Sequence, residues 1–193
     1  MIYINHQPTR RFFMATQTRT LETREKILTA TIEVVHQQGV TALTLDLVAK
    51  YASVSKGGLL HHFPSKDALI EALLTHLITQ FENAVRQFYE SEAVGRGRWL
   101  RAYIHASFAE TLIPIELIPL FALTLNASNP LGVLLQAEQT QWMTRFTAEG
   151  VSVARATILK AAADTYWLDR VIGLDAPNRD ELRAELLHLI DTP

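Results

Sequence analysis

The 193-residue sequence contains no cysteine, which rules out disulfides, thiolate metal sites and cysteine nucleophiles together and fits a reducing compartment. No run of 18 or more apolar residues occurs, so no segment reads as a membrane-spanning helix. Catalytic signatures are missing as well: neither G-x-S-x-G nor H-E-x-x-H is present, and the charged stretches 164–170 and 175–185 alternate sign as solvated helix faces do. No apolar/polar alternation is long enough for a sheet. These absences lead us to expect no catalytic residues, no cofactor and no metal.

What is present is a chain that is 48% hydrophobic and 20% charged, enough to build a sizeable core. Its charge is unevenly placed. Residues 1–66 carry eight Lys/Arg against four Asp/Glu, whereas residues 67–193 carry ten against sixteen. A small basic module followed by a larger acidic one suits a head that binds a polyanion. The opening residues have scattered apolar positions and no cleavage signal. Residues 1–20 are expected to be a flexible tail, with Met14 as an alternative start to Met1.

Helical periodicity dominates. From Glu22 to Gln38 apolar residues recur at helical spacing, and Gly39 closes the run. Thr44 can cap "LDLVAKYA", and Pro64-Ser65 ends "KGGLLHHF". Leu69, Leu73, Leu77, Phe81, Ala84 and Phe88 then mark a long helix over 66–90. Further helices are expected at 98–112, 131–149, 153–173 and 178–190, with short pieces around Pro114 and Pro119. Asn178 and Glu181 have capping-box spacing. The reading is all-α, about nine helices.

The pair of short helices over 45–62 carries the chemistry. A small residue, Ala49, allows them to cross, Ala52 and Val54 plug the turn between them, and Leu59 anchors the second. That is a helix-turn-helix, whose second helix enters the major groove of DNA. Thr44 and Ser55 offer hydroxyls to phosphate, and Lys56 and Lys66 offer charge. Gly57 and Gly58 cost about 1 kcal/mol each in helix propensity, which makes sense where the backbone must approach base edges closely. A nucleotide-binding glycine turn is excluded, because no strand precedes them and no G-x-G-x-x-G follows. His61 and His62 diverge by about 100° on a helix and do not chelate one metal as an i, i+4 pair does.

The segment "TREKILTATIEVVHQQGVTALTLDLVAKYASVSKGGLLHHFPSKDALIEALL" resembles the N-terminal DNA-binding domain of the tetracycline-repressor (TetR) family of bacterial transcriptional regulators. The resemblance covers about residues 23–74, and the "VAKYASVSKGGL" core, the "HFPSKDAL" exit and the Gly39 spacing carry it. It implies a three-helix reading head over 21–66 and a ligand-binding and dimerisation domain over 67–193. It implies also a homodimer that docks on palindromic double-stranded DNA and is released by a small molecule. By matching position, His62 is a phosphate contact and His61 a base or phosphate contact. Two departures stand out: Ser53 where the family usually has Gly at the turn, and Leu60 where an aromatic is common.

The expected DNA contacts are therefore Arg24, Thr44, Ser55, Lys56, Gly57, Gly58, His61, His62 and Lys66. Arg10, Arg11 and Arg19 form either a minor-groove arm with Arg24 or part of a solvated tail. In the larger domain the candidate ligand-lining residues are Trp99, Tyr103, His105, Phe108, Phe121, Trp142, Phe146 and Tyr166, with Glu110, Asn126 and Gln139 as polar partners and the stretch 113–120 as an entrance. In the family the last two helices pair with their mates, which places Ile158, Ala162, Thr165, Leu182, Leu186 and Leu189 at the dimer interface. The expectation is a cytoplasmic, ligand-releasable repressor that is not an enzyme. The alternative is an all-α module that binds a ligand or partner without a DNA output.

Overall fold

A computed structural model describes residues 8–109, 117, 120, 130–171 and 178–192. Among them the structure is all-helical, with no strand. Eight α-helices are α1 (Pro8–Gln38), α2 (Leu45–Tyr51), α3 (Lys56–His62), α4 (Lys66–Ser91), α5 (Arg98–Phe108), α6 (Pro130–Ala148), α7 (Val153–Val171) and α8 (Arg179–Asp191), and a 3-10 turn covers Val40–Ala42. The chain divides into two compact units, Met1–Leu73 and Leu74–Pro193, with the divide falling inside α4.

In the first unit α1 begins at Pro8 rather than near Glu22. Proline is well placed there: its missing N–H is one that a helix start leaves unbonded anyway. From Thr9 to Gln38 no glycine or proline interrupts the run. Gly39 ends α1 with φ 79°, its N–H bonding the Val35 carbonyl at 2.9 Å, the backbone shape that glycine adopts without a Cβ penalty. α1 presents Ile27, Leu28, Val34 and Val35 as fully buried residues and packs against α2, which in turn packs against α3. Ala30, Leu43, Val48, Ala49, Ala52, Leu59, Phe63, Leu69 and Leu73 are buried in this unit as well, with the polar Thr31 among them.

Caps set where each helix of the head starts. The Thr44 hydroxyl accepts from the Leu47 N–H at 3.3 Å, Ser55 from Gly58 at 3.0 Å, and Ser65 from Ala68 at 3.1 Å. The turn between α2 and α3 passes through Ser53 at φ 51°, the left-handed region, while Val54 N–H bonds the Ala49 carbonyl at 3.0 Å.

In the second unit α5 is the hub, packing against α6, α7 and α8. Leu100, Tyr103, Ile104 and Phe108 of α5 are buried with Val85 of α4, Trp142 and Phe146 of α6, Leu159 and Tyr166 of α7, and Leu186 and Ile190 of α8. Gly97 starts α5 at φ 65°, and a Cβ there would lie 2.6 Å from Ile190 Cγ2 and 2.9 Å from Val151 Cγ2. Only glycine fits such a position, on both counts. The expected capping box at the start of α8 does not form: the Asn178 side chain makes no cap bond, and its carbonyl instead accepts the Leu182 N–H at 2.8 Å. Among the described residues no helix is long and apolar enough to cross a membrane.

Candidate nucleic-acid interface

The head presents one polar surface built on α3. Leu59 is fully buried and fixes the rotation of the helix, so Lys56, Gly57, Leu60 and His61 turn outward. The Lys56 ammonium is held by Asp46 of α2, with Nζ 2.9 Å from Oδ1 and 3.1 Å from Oδ2. Both side chains are largely exposed, so the pair is weak and exchangeable for another anion.

The two glycines differ. A Cβ on Gly57 would meet nothing within 4 Å, whereas one on Gly58 would stand 3.1 Å from the Ser55 Oγ that caps the helix. Gly58 thus has a reason inside the protein, and Gly57 has none. The hydroxyls of Thr44 and Ser55 each accept one N–H of their own helix, both residues are exposed, and each hydroxyl keeps a hydrogen to donate.

His62 is half-buried, its ring edge-on to His61 at 5.5 Å between centroids and tilted on Phe63 at 6.3 Å. Burial lowers its pKa below the usual histidine value, with the neighbouring His61 and Arg24 adding to the effect. The Arg24 guanidinium lies 5.5 Å from the Phe63 ring centroid, beside the same edge of the head. Lys66 is exposed at the first position of α4. Among the described residues no three His, Cys, Asp or Glu side chains gather as metal ligands would. The side chains of Arg10 and Arg11 lie outside the described residues.

In the second unit the sequence-chosen aromatics meet in one core. Trp142 stands edge-on to Tyr103 at 5.2 Å and stacks on Phe146 at 5.9 Å, and Phe108 stacks on Tyr166 at 4.0 Å. Trp99 lies flat on Tyr89 at 3.8 Å. His105 points elsewhere, stacked on Phe88 with Nε2 3.1 Å from a Glu92 oxygen. Burial lowers the His105 pKa, a pull that Glu92 opposes and Arg183 and Arg101 reinforce. Gln139 is exposed. Phe121, Glu110 and Asn126 lie outside the described residues, as does most of 113–120.

Of the residues expected at a dimer interface, Ile158 is 67% exposed and Thr165 is exposed beside it on α7. Ala162, Leu182 and Leu189 are half-buried against their own core. Leu186 is buried in the core of its own chain, because α8 turns that side chain toward α5 and α7.

Two sequence models match this arrangement. Residues 27–73 match that of the bacterial regulatory proteins of the tetR family, and residues 97–191 match a tetracyclin repressor-like C-terminal domain. The chain belongs to the tetracycline-repressor family. A curated relative, the HTH-type transcriptional regulator BetI of Pseudomonas paraeruginosa, is 38% identical over 64 residues, 33% of this chain. That match spans about a third (32%) of the relative's own length. Among solved structures, a TetR-family member from Streptomyces coelicolor A3 shares 26% identity over 89% of this chain and 99% of its own, with a TM-score of 0.66. The fold also matches the multidrug binding protein EbrR, complexed with malachite green, at 24% identity and TM-score 0.63 over 88% of this chain and 98% of that one.

Some residues of this family member were not singled out in the sequence. Arg145 of α6 sits 4.9 Å from the Trp99 ring centroid and 4.7 Å from that of Trp142, and bonds Glu82 of α4 at 3.0 Å. Its Nη1 is buried without a hydrogen-bond partner among the described residues. Glu138 shares this neighbourhood, and burial raises its pKa with the Glu82 charge adding to the shift. Asp164, expected on a solvated face, instead accepts from the Tyr103 hydroxyl at 2.7 Å and from the buried Lys160 ammonium at 2.6 Å. The Lys160–Asp164 spacing was legible as an i, i+4 pair; the tyrosine that completes it lies on α5, far away in sequence.

Proposed function

We propose that this chain is a DNA-binding transcriptional regulator, a homodimeric repressor that leaves a palindromic operator when a small molecule binds. The observation that carries the reading is the outward face of α3: Lys56, Gly57 and His61 exposed over a fully buried Leu59, on the basic part of the chain. In this reading Thr44, Ser55, His62 and Lys66 hold phosphates and fix register, with Arg24 beside them, while Lys56, Gly57, Gly58 and His61 meet base edges. Asp46 holds the Lys56 ammonium in place until a base or phosphate takes it over.

The ligand half of the proposal rests on the aromatic core of the second unit. Trp99, Tyr103, Phe108, Trp142, Phe146 and Tyr166 supply flat apolar surface, and Arg145 Nη1 supplies a donor with no acceptor among the described residues. An aromatic ligand carrying an acceptor would satisfy it; EbrR, a multidrug binding protein of similar fold, is complexed with malachite green. α4 begins in the reading head at Lys66 and contributes Phe81, Val85 and Phe88 to that core. A ligand that favours one position of α4 shifts the equilibrium between DNA-competent and released states by its difference in affinity for the two. The protein works in the cytoplasm and carries out no catalysis in this reading. Ile158 and Thr165 of α7, with the half-buried Leu182 and Leu189 of α8, form the dimer face.

Selection of bound fragments from the source genome tests the proposal and yields the operator. Lys66→Ala should then weaken binding to all sequences alike and lower the salt slope by about one. A change in sequence preference instead would remove Lys66 from the phosphate-binding set.

A further inference from the structure

Leu60 is the one large apolar side chain exposed between residues 22 and 93 among the described residues, at 37%. Its place on the outward face of α3 is set by Leu59, which is fully buried next to it. One turn back stand Gly57 and Lys56, at the i−3 and i−4 positions that share a helix face with it. Gly57 leaves bare backbone there, with nothing within 4 Å of where its Cβ would be. The result is an exposed apolar side chain on the helix face that carries the open backbone of Gly57 and the exposed Lys56, with the exposed His61 next to it in sequence. Neither core packing nor capping accounts for a leucine at this point.

The excess of basic over acidic residues in 1–66, eight against four, points to a polyanion as the occupant, and the proposed function places α3 in the major groove. Of the groups that base pairs present in that groove, only one is apolar: the C5-methyl of thymine. We propose that Leu60 reads a thymine through that methyl group, the bare backbone at Gly57 admitting the base edge. Leu60 then determines sequence preference, and it does so without a hydrogen bond. The inference rests on the DNA-binding reading.

The test uses the full-length chain and duplexes selected from a random library. Each thymine of the selected sequence is replaced in turn by deoxyuridine, which removes the methyl group and nothing else, and affinity is measured at fixed salt. One thymine in each half-site should lose about fourfold in affinity on replacement, the worth of one buried methyl-sized group. In Leu60→Ala the same replacement should have no effect, while the salt slope of binding stays as in the parent. Because the change is made in the DNA, the parent protein alone already tests the idea without any question of folding. Selected sequences without thymine, thymines that tolerate uridine throughout, or a methyl effect of equal size in Leu60→Ala would each overturn it. Those outcomes leave the DNA-binding reading intact; failure of the parent chain to select any sequence overturns both.

Discussion

Ser53 is the one non-glycine residue with positive φ among the described residues, at 51°. An L-residue with a Cβ pays on the order of 1 kcal/mol for that backbone, and glycine does not. Ser53→Gly should therefore raise stability by about 1 kcal/mol in denaturant titration, with the turn unchanged. Gly57 has the opposite character, because an added Cβ meets open space. Gly57→Ala should stabilise the helix by about 1 kcal/mol yet weaken operator binding, and the opposite signs of the two measurements separate a partner's requirement from the fold's. His62 gives a pH handle: its pKa is lowered in the free protein by burial first, then by His61 and Arg24. A phosphate beside it favours the charged form and raises that pKa, so binding takes up a proton. Operator affinity should increase as pH falls towards and below about 6.5, and His62→Asn should flatten the profile.

At the scale of elements, short helices depend on their ends. α3 is only seven residues long, and Ser55 accepts the Gly58 N–H that would otherwise go unbonded. Ser55→Ala should cost about 1 kcal/mol in stability, read by thermal unfolding, in addition to any loss in DNA binding. α5 depends on its start in another way. Gly97 lets it begin directly against Ile190 and Val151, where a Cβ would stand 2.6 and 2.9 Å from their methyl groups. Gly97→Ala should destabilise the second unit by roughly 2–4 kcal/mol through overpacking and left-handed backbone strain together. An unchanged melting temperature would rule out this account of α5. The caps at Thr44, Ser55 and Ser65 were readable in the sequence because capping is local, involving a hydroxyl and an N–H three residues on. Asn178 had the same spacing to Glu181 but fails as a side-chain cap, its φ and ψ of −129° and 48° being outside the extended region that a cap uses.

For the whole molecule, the exposed stripe of α7 matters most. Ile158 at 67% exposure shares one face of α7 with the exposed Ala154, Ala161 and Thr165, a stripe of small and apolar groups. If the protein acts as a dimer through this face, Ile158→Asp should yield a monomer by sedimentation and lose most operator affinity, while its helicity stays intact. Retained dimer in that variant would place the interface elsewhere. Salt enters at this scale too: the acidic part of the chain, with ten basic against sixteen acidic residues over 67–193, offers nothing to DNA, so the salt dependence of binding belongs to the head.

The sequence by itself determined the all-α class, the helix-turn-helix, the positions of its caps and glycines, and the family. Each of these depends on residues within a few positions of one another, where 3.6-residue periodicity and local hydrogen bonding decide the outcome. Even Ser53 could be marked as unusual from its place in the turn. Only the tertiary structure decided how α5 gathers the aromatics of α6 and α7, why Arg145 meets Glu82 across 63 residues of chain, and that Leu186 faces inward. It also separated Gly57 from Gly58, since the sequence shows two equal glycines and only the fold shows which one has a neighbour. For the aromatics, Arg145 and Leu186 the physical reason is the same: packing between distant segments is set by which side chains fill the space between helices, and no local pattern encodes that.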